Sequence, residues 1–162
     1  MAKRGKNPGS WRVGKLEQLF RHTGLFFWSF RGSKPNVIIT GYSDHWRGVA
    51  SKGSQIMASG SNWRVSRDDF EWLRDLRTFG GSQARSRARS LITNWLKVNG
   101  RWNVKSWQPD IMGKRLANLV FCYDWYGSSA DETFQQQISD TIGLQARCLA
   151  IDWKRLYDHD AR

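Results

Sequence analysis

The chain has 162 residues, a formal net charge of +12 and a sequence pI of about 10.3. This length suits a single domain with a sizeable core, and the charge predicts an anionic partner. No run approaches the ~20 apolar residues of a membrane span, and the first residues lack the apolar core of a signal peptide. As written, the sequence predicts a cytoplasmic protein without a membrane span, and a periplasmic location stays open if the true N-terminus is longer.

The first third of the chain has an irregular pattern. Residues 1–10 are basic and predict a disordered arm, and residues 11–162 are interpreted as one truncated helical domain. Apolar residues at helical spacing predict a first helix over residues 11–30. Gly32 then ends it, and residues 36–40 favour a short β ribbon or an extended connector.

Helical patterns continue to the C-terminus, and glycines end several of them. The further predicted helices run from Ser43 or Asp44 to Met57, from Ser66 to Phe79, from Ser82 to Val98, from Pro109 to Tyr126, and from Ser129 to Leu156. Short connections without alternating strands predict an all-α fold of antiparallel helical hairpins.

The run "SQARSRAR" (Ser82–Arg89) is the most basic part of a predicted helix. Its arginines, Arg85, Arg87 and Arg89, would point away from the apolar stripe of that helix and toward solvent. They form either a solvated face or a contact for a polyanion, and both interpretations stay open.

No pattern in the sequence is typical of a metal or cofactor site. The three histidines are far apart and do not occur at metal-ligand spacing. Residues 9–15 have the GxxxxGK skeleton of a phosphate loop, but neither the following Ser or Thr nor a preceding strand is present. We therefore predict no cofactor and no metal. Cys122 and Cys148 form no CxxC pair and are predicted to be buried thiols.

The stretch from Asn99 to Gly127 concentrates tryptophans and basic residues. On a helical wheel, Arg115, Asn118 and Trp125 lie on one stripe beside the core stripe. A guanidinium can bind a carboxylate, an amide can hydrogen-bond to it, and an indole can stack on a ring. We therefore predict a binding site for an acidic sugar formed by Arg115, Asn118, Trp107 and Trp125, facing the space between helices. In the alternative interpretation, Arg115 and Asn118 satisfy loop carbonyls inside a helical core.

Three ordered motifs resemble a known family: "FEWLRDLRTFGG", "ARSRARSLITNWLKVNGRW" and "SWQPDIMGKRLANLVFCYDWYG". They resemble the N-terminal helical domain of heparinase II/III family proteins of the alphaproteobacterial type. The resemblance covers roughly residues 24–153, and its most specific part is the pattern of Trp107, Pro109, Asp110, Gly113, Arg115 and Asn118. It implies a partial (α/α) toroid and a lyase that acts by β-elimination on a polysaccharide containing uronic acid.

The same resemblance implies that the catalytic Asn, Tyr and His residues of the family lie beyond residue 162. We therefore expect an N-terminal fragment of a polysaccharide lyase, inactive by itself, with an anionic polysaccharide as partner. A second hypothesis is a small basic helical protein that binds nucleic acid, although no nucleic-acid-binding motif is present. A third is an interaction module without catalytic chemistry.

Overall fold

The computed structural model describes residues 13–29, 44–60 and 68–160, except for the side chains of Phe27 and of residues 154–160. The predicted arm over residues 1–10 and the predicted ribbon over residues 36–40 lie outside this part of the chain, and so does the predicted helix start at Ser66.

The described residues form helices and contain no strand. The helices are α1 (Lys15–Arg21), α2 (Gly24–Ser29), α3 (Ala50–Ala58), α4 (Trp72–Phe79), α5 (Gly81–Asn99), α6 (Pro109–Phe121), α7 (Tyr123–Tyr126) and α8 (Glu132–Asp160). The predicted all-α class is therefore confirmed, and the partial toroid stays a prediction.

The helix predicted over residues 11–30 is two helices, because Thr23 separates them. Its hydroxyl donates to the carbonyl of Phe20 (2.6 Å) and accepts a long hydrogen bond from the backbone N–H of Phe26 (3.4 Å). One side chain therefore ends α1 and caps α2. Helical spacing alone did not reveal this break, because the apolar pattern continues across it.

The last helix begins later than predicted. Asp131, and not Ser129, caps α8: its Oδ1 accepts the backbone N–H of Phe134 at 2.9 Å. A carboxylate here also lies favourably near the positive end of the helix dipole. Ser129 is thereby free to contact another helix. The helix predicted from Pro109 to Tyr126 is divided at Cys122 into α6 and α7.

Two apolar clusters make up the core. The larger joins α3, α4, α5, α6, α7 and the first turns of α8. It contains several aromatic side chains: Phe70, Trp72, Trp95, Tyr123, Tyr126 and Phe134. The smaller joins Val13, which precedes α1, and α2 to the α5–α6 connection, α6 and α8. Ile142 of α8 packs against both clusters, so α8 connects them. Cys122 and Cys148 are free and buried, as predicted.

Candidate interaction site

Arg115 of α6 is completely buried, with 0% of its surface exposed. Its Nε donates to Gln145 Oε1 (2.8 Å), and its Nη1 donates to the carbonyls of Asp68 (2.7 Å) and Ser106 (2.8 Å). The guanidinium also lies over the Trp95 ring, 4.5 Å from its centroid. Arg115 thus joins α6 to α8 and to two loops.

Burial has an electrostatic consequence for this guanidinium. It lowers the pKa of Arg115 to about 10, although the nearby charges of Asp68 and Asp69 act in the opposite direction. Arg115 therefore remains charged at neutral pH, surrounded mainly by neutral acceptors. A buried cation of this kind is stable only while its hydrogen bonds are in place.

Asn118, one helical turn further along α6, supports the same loop. Its Nδ2 donates to the carbonyl of Asp69 at 2.7 Å, next to the carbonyl that Arg115 binds. The following residue, Phe70, is buried and has a φ of 61°, a left-handed conformation that is uncommon for a bulky residue. Its ring contacts the rings of Trp72 and Trp95. Arg115 and Asn118 therefore hold the corner that places Phe70 in the core.

The other two residues of the predicted sugar site also lie within the fold. Trp107 is buried and donates from Nε1 to the carbonyl of Asn99 at 3.0 Å, and Trp125 packs against the larger apolar cluster. The contacts of Arg115 and Asn118 are those of the alternative interpretation, in which they satisfy loop carbonyls. Among the described residues, the Arg115 guanidinium is enclosed by its own fold, with 0% of the residue exposed.

The arginines of α5 are half-buried, which is less exposed than the sequence pattern predicted. Arg85 and Arg89 reach Ser129, and Arg87 donates to the carbonyl of Gly60 on the opposite side. The three side chains therefore do not form one continuous face. They connect α5 to the end of α3 and to the α7–α8 connection.

An extended segment, residues 44–49, is held rigidly against α4. Asp44 accepts hydrogen bonds from Arg77 Nη2 (2.8 Å), from Arg74 Nε (3.2 Å) and from the N–H of Trp46 (3.1 Å). Burial raises the pKa of Asp44, but these hydrogen bonds outweigh burial and hold the pKa below its usual value. The carboxylate that the sequence suggested as a helix cap is instead the centre of an ion-pair cluster, and α3 begins only at Ala50.

Two glycines bring this segment and α3 unusually close to α4. A Cβ at Gly48 would overlap the backbone of Arg74, and a Cβ at Gly53 would lie 2.5 Å from the carbonyl oxygen of Asp75. Both contacts are closer than real Cβ atoms allow. In the structure the two glycines permit residues 48–53 to pack closely against the backbone of α4.

The segment presents Trp46 beside an open groove. The Trp46 side chain is 63% exposed, lies under the Arg74 guanidinium (5.1 Å to the ring centroid) and borders a cavity of about 490 Å³. Val49 and Trp72 add apolar surface to the groove. Its charged lining is mixed: Arg47 and Lys52 are basic, and Glu71 and Asp75 are acidic. We call this cavity the Trp46 groove. Tryptophan and arginine are among the residue types that contribute most to protein interfaces.

A second buried arginine lies at the other end of the molecule. Arg21 of α1, 2% exposed, pairs with Asp152 of α8 (Nη2–Oδ1 2.5 Å, Nη1–Oδ2 3.0 Å) and with Glu17 (Nη2–Oε1 2.7 Å). Its guanidinium also lies over the rings of Phe26 and Trp102. This pair fixes the α1–α2 hairpin to α8.

The part of the chain that the structure describes contains no group of three or more His, Cys, Asp or Glu residues that could hold a metal ion. In the same part, no helix combines the length and the apolar character needed to cross a membrane.

Comparison with known proteins finds a relative that matches about half of the chain. The chain is 44% identical over 85 residues to FtsZ-localized protein C of Caulobacter vibrioides (strain NA1000 / CB15N). The matched region is 52% of this chain and 15% of that protein, so the chain corresponds to a small part of this relative's length. No family model and no solved structure matches the sequence.

These findings correct the family expected from the sequence motifs. The interpretation as a heparinase II/III family member is wrong, and so are the polysaccharide-lyase function and the anionic polysaccharide partner that it implied. The nucleic-acid hypothesis has no support in the comparison either. Of the residues that suggested a sugar site, Arg115, Asn118 and Trp107 are buried in the structure. What the chain is similar to is a protein named for its localisation with FtsZ.

Proposed function

We propose that this chain is a helical protein-binding part of a cell-division protein that localises with FtsZ in the cytoplasm. The observation that carries the proposal is the 44% identity to FtsZ-localized protein C over 85 residues. The partner suggested by that name is a protein. This corresponds to the hypothesis of an interaction module without catalytic chemistry.

The Trp46 groove supports a binding role, because its parts are those of an efficient protein interface. Tryptophan and arginine are enriched among residues that contribute most to binding, and Trp46 and Arg47 are both exposed here. A cavity of about 490 Å³ beside Trp46 can accept an apolar side chain of a partner. We propose this groove as the contact with the partner.

The rigidity of residues 44–49 adds to this argument. Besides the Asp44 ion pairs, the N–H of Gly48 donates to Thr78 Oγ1 (3.1 Å) and the N–H of Val49 donates to Asp75 Oδ1 (2.7 Å). A segment that is already ordered loses little conformational entropy when it binds. These internal contacts thus hold the backbone of residues 44–49 in place, and Trp46 keeps a fixed position on the surface.

Co-sedimentation with FtsZ polymers tests the proposal. The purified chain should pellet with polymerised FtsZ from the same cells, and Trp46→Ala should weaken the apparent Kd about tenfold or more, as for a strong interface residue. Trp28→Ala is the matched control, because Trp28 is also 63% exposed but lies on α2, outside the groove. Thermal unfolding of both variants would show that each remains folded.

Two results would count against this function. If the wild-type chain neither pellets with FtsZ nor follows it in cells as a fluorescent fusion, the cell-division role is wrong. If Trp28→Ala weakens binding as much as Trp46→Ala, the contact is not the Trp46 groove.

A further inference from the structure

The connection between α7 and α8, residues 127–131, has a fixed conformation. Gln135 Nε2 donates to the carbonyls of Gly127 (3.1 Å), Ser128 (3.2 Å) and Ala130 (3.2 Å). The N–H of Ala130 also donates to the carbonyl of Gly127 at 2.9 Å. The exposed side chains of the connection are therefore held in defined positions.

Ser129 is exposed in this connection, and two arginines of α5 converge on its hydroxyl oxygen. Arg89 Nη2 donates to Ser129 Oγ at 2.8 Å, and Arg85 Nη1 donates to the same atom at 3.3 Å. Arg89 is itself positioned by a hydrogen bond from its Nε to the carbonyl of Tyr126 (2.7 Å). Two cations thus surround one neutral hydroxyl group.

The two guanidinium groups have spare binding capacity. Neither Arg85 nor Arg89 forms an ion pair with a carboxylate of the described residues, and the buried Nε of Arg85 has no acceptor there. The next carboxylates along the chain are those of Asp131 and Glu132, and Asp131 is already bound to the N–H of Phe134. An anion at Ser129 would therefore gain two unpaired guanidinium partners.

We infer that Ser129 is a phosphorylation site whose phosphoryl group binds Arg85 and Arg89. A kinase would transfer the terminal phosphoryl group of a nucleoside triphosphate: the Ser129 Oγ–P bond forms, the bond to the nucleoside diphosphate breaks, and the hydroxyl proton is released. The product has about −1.5 to −2 charges at neutral pH and three strong acceptor oxygens. It replaces a weak neutral acceptor with the group that paired arginines bind best.

The neighbouring Ser128 provides a contrast within the same loop. Its hydroxyl donates to the carbonyl of Asp124 at 2.5 Å, and no arginine among the described residues donates to it. Phosphorylation there would remove the donated bond and add no guanidinium partner. The site is therefore specific to Ser129 and does not extend to the whole loop.

Phosphoserine introduced at a single position by an expanded genetic code tests the geometry. Phosphoserine at residue 129 should raise the Tm of the full chain by roughly 3–6 °C at pH 7.5 and low salt, since each new charge-assisted contact stabilises the α5–α8 junction. Phosphoserine at residue 128 should give no increase. Arg85→Ala combined with Arg89→Ala should abolish the increase at residue 129. A Tm that is unchanged or lower with phosphoserine 129 would overturn the inference.

Mass spectrometry of the chain isolated from its own cells tests the modification itself. We expect a peptide that carries one phosphoryl group on Ser129, and its loss in Ser129→Ala. If Ser129 is unmodified in growing, dividing and stationary cells alike, it is not a phosphorylation site, whatever the stability measurements show.

Discussion

The fold stabilises the buried positive charges of Arg115 and Arg21 in two different ways. Both guanidinium groups are buried and lie over a tryptophan ring, Trp95 for Arg115 and Trp102 for Arg21. Arg115 meets an amide oxygen and two backbone carbonyls, whereas Arg21 meets the carboxylates of Asp152 and Glu17. One site is held by neutral acceptors and the other by charge.

The pKa of Arg115 is lowered in the folded protein, whereas the pKa of Arg21 is raised. Burial lowers the pKa of Arg115, and its acceptors do not offset this. Burial also acts to lower the pKa of Arg21, but the hydrogen bonds that Arg21 donates to Asp152 and Glu17 outweigh burial and raise the pKa above its usual value. A buried arginine is therefore not evidence of a binding site, since the fold can use it to satisfy its own carbonyls.

The largest expected effect comes from Arg115→Met, which keeps most of the side-chain volume but removes every donor. Gln145 Oε1 and the carbonyls of Asp68 and Ser106 would lose a partner inside the protein. We expect a loss of about 3–5 kcal/mol in the free energy of unfolding, since each unsatisfied buried polar group costs about 1–3 kcal/mol. Urea unfolding measures it. Arg101→Met, at an exposed arginine, is the control and should change stability by less than about 0.5 kcal/mol. A small loss for Arg115→Met would show that its hydrogen bonds contribute little.

Asp152→Asn tests the charged site with a smaller perturbation. The amide retains the shape and one acceptor, but it removes the negative charge that faces Arg21. We expect a loss of about 1–3 kcal/mol, below the range for an unpaired buried charge, because Glu17 still pairs with Arg21. Equilibrium unfolding of the single variants and of Asp152→Asn combined with Arg21→Met gives the coupling energy. A coupling energy near zero would mean that the ion pair has no net stabilising effect.

The ion pairs of Asp44 with Arg74 and Arg77 add a third case to this comparison. Here the prediction concerns how the free energy of unfolding depends on pH. The folded pKa of Asp44 is lowered, so its stabilising contribution is present above the unfolded value of about 3.9 and is lost as the pH falls through the folded pKa. The stability difference between wild type and Asp44→Asn should therefore be positive at pH 7 and shrink toward zero at lower pH. Urea unfolding at pH 7, 4 and 3 checks this, with Asp110→Asn as an exposed control. A difference that grows on acidification would contradict the sign.

The sequence by itself determined the helical class and the core of its second half. Met112, Leu116 and Leu119 recur at helical spacing in the sequence and are buried in the structure, because helical periodicity alone decides which face of a helix is apolar. The start of α6 at Pro109 followed in the same way from local backbone preferences. These features depend on residues within one or two helical turns.

Only the tertiary structure decided what the polar residues and glycines do. Arg115 donates to the backbone carbonyls of residues 68 and 106. Every residue has a backbone carbonyl, so the sequence does not show which one an arginine binds, and a sugar carboxylate was an equally reasonable partner. Gly48 and Gly53 are required by the backbone of α4, more than 20 residues away. Ser129 became available to Arg85 and Arg89 because Asp131 caps α8 in its place. Contacts between distant segments depend on how the helices pack, and local spacing carries no information about that packing.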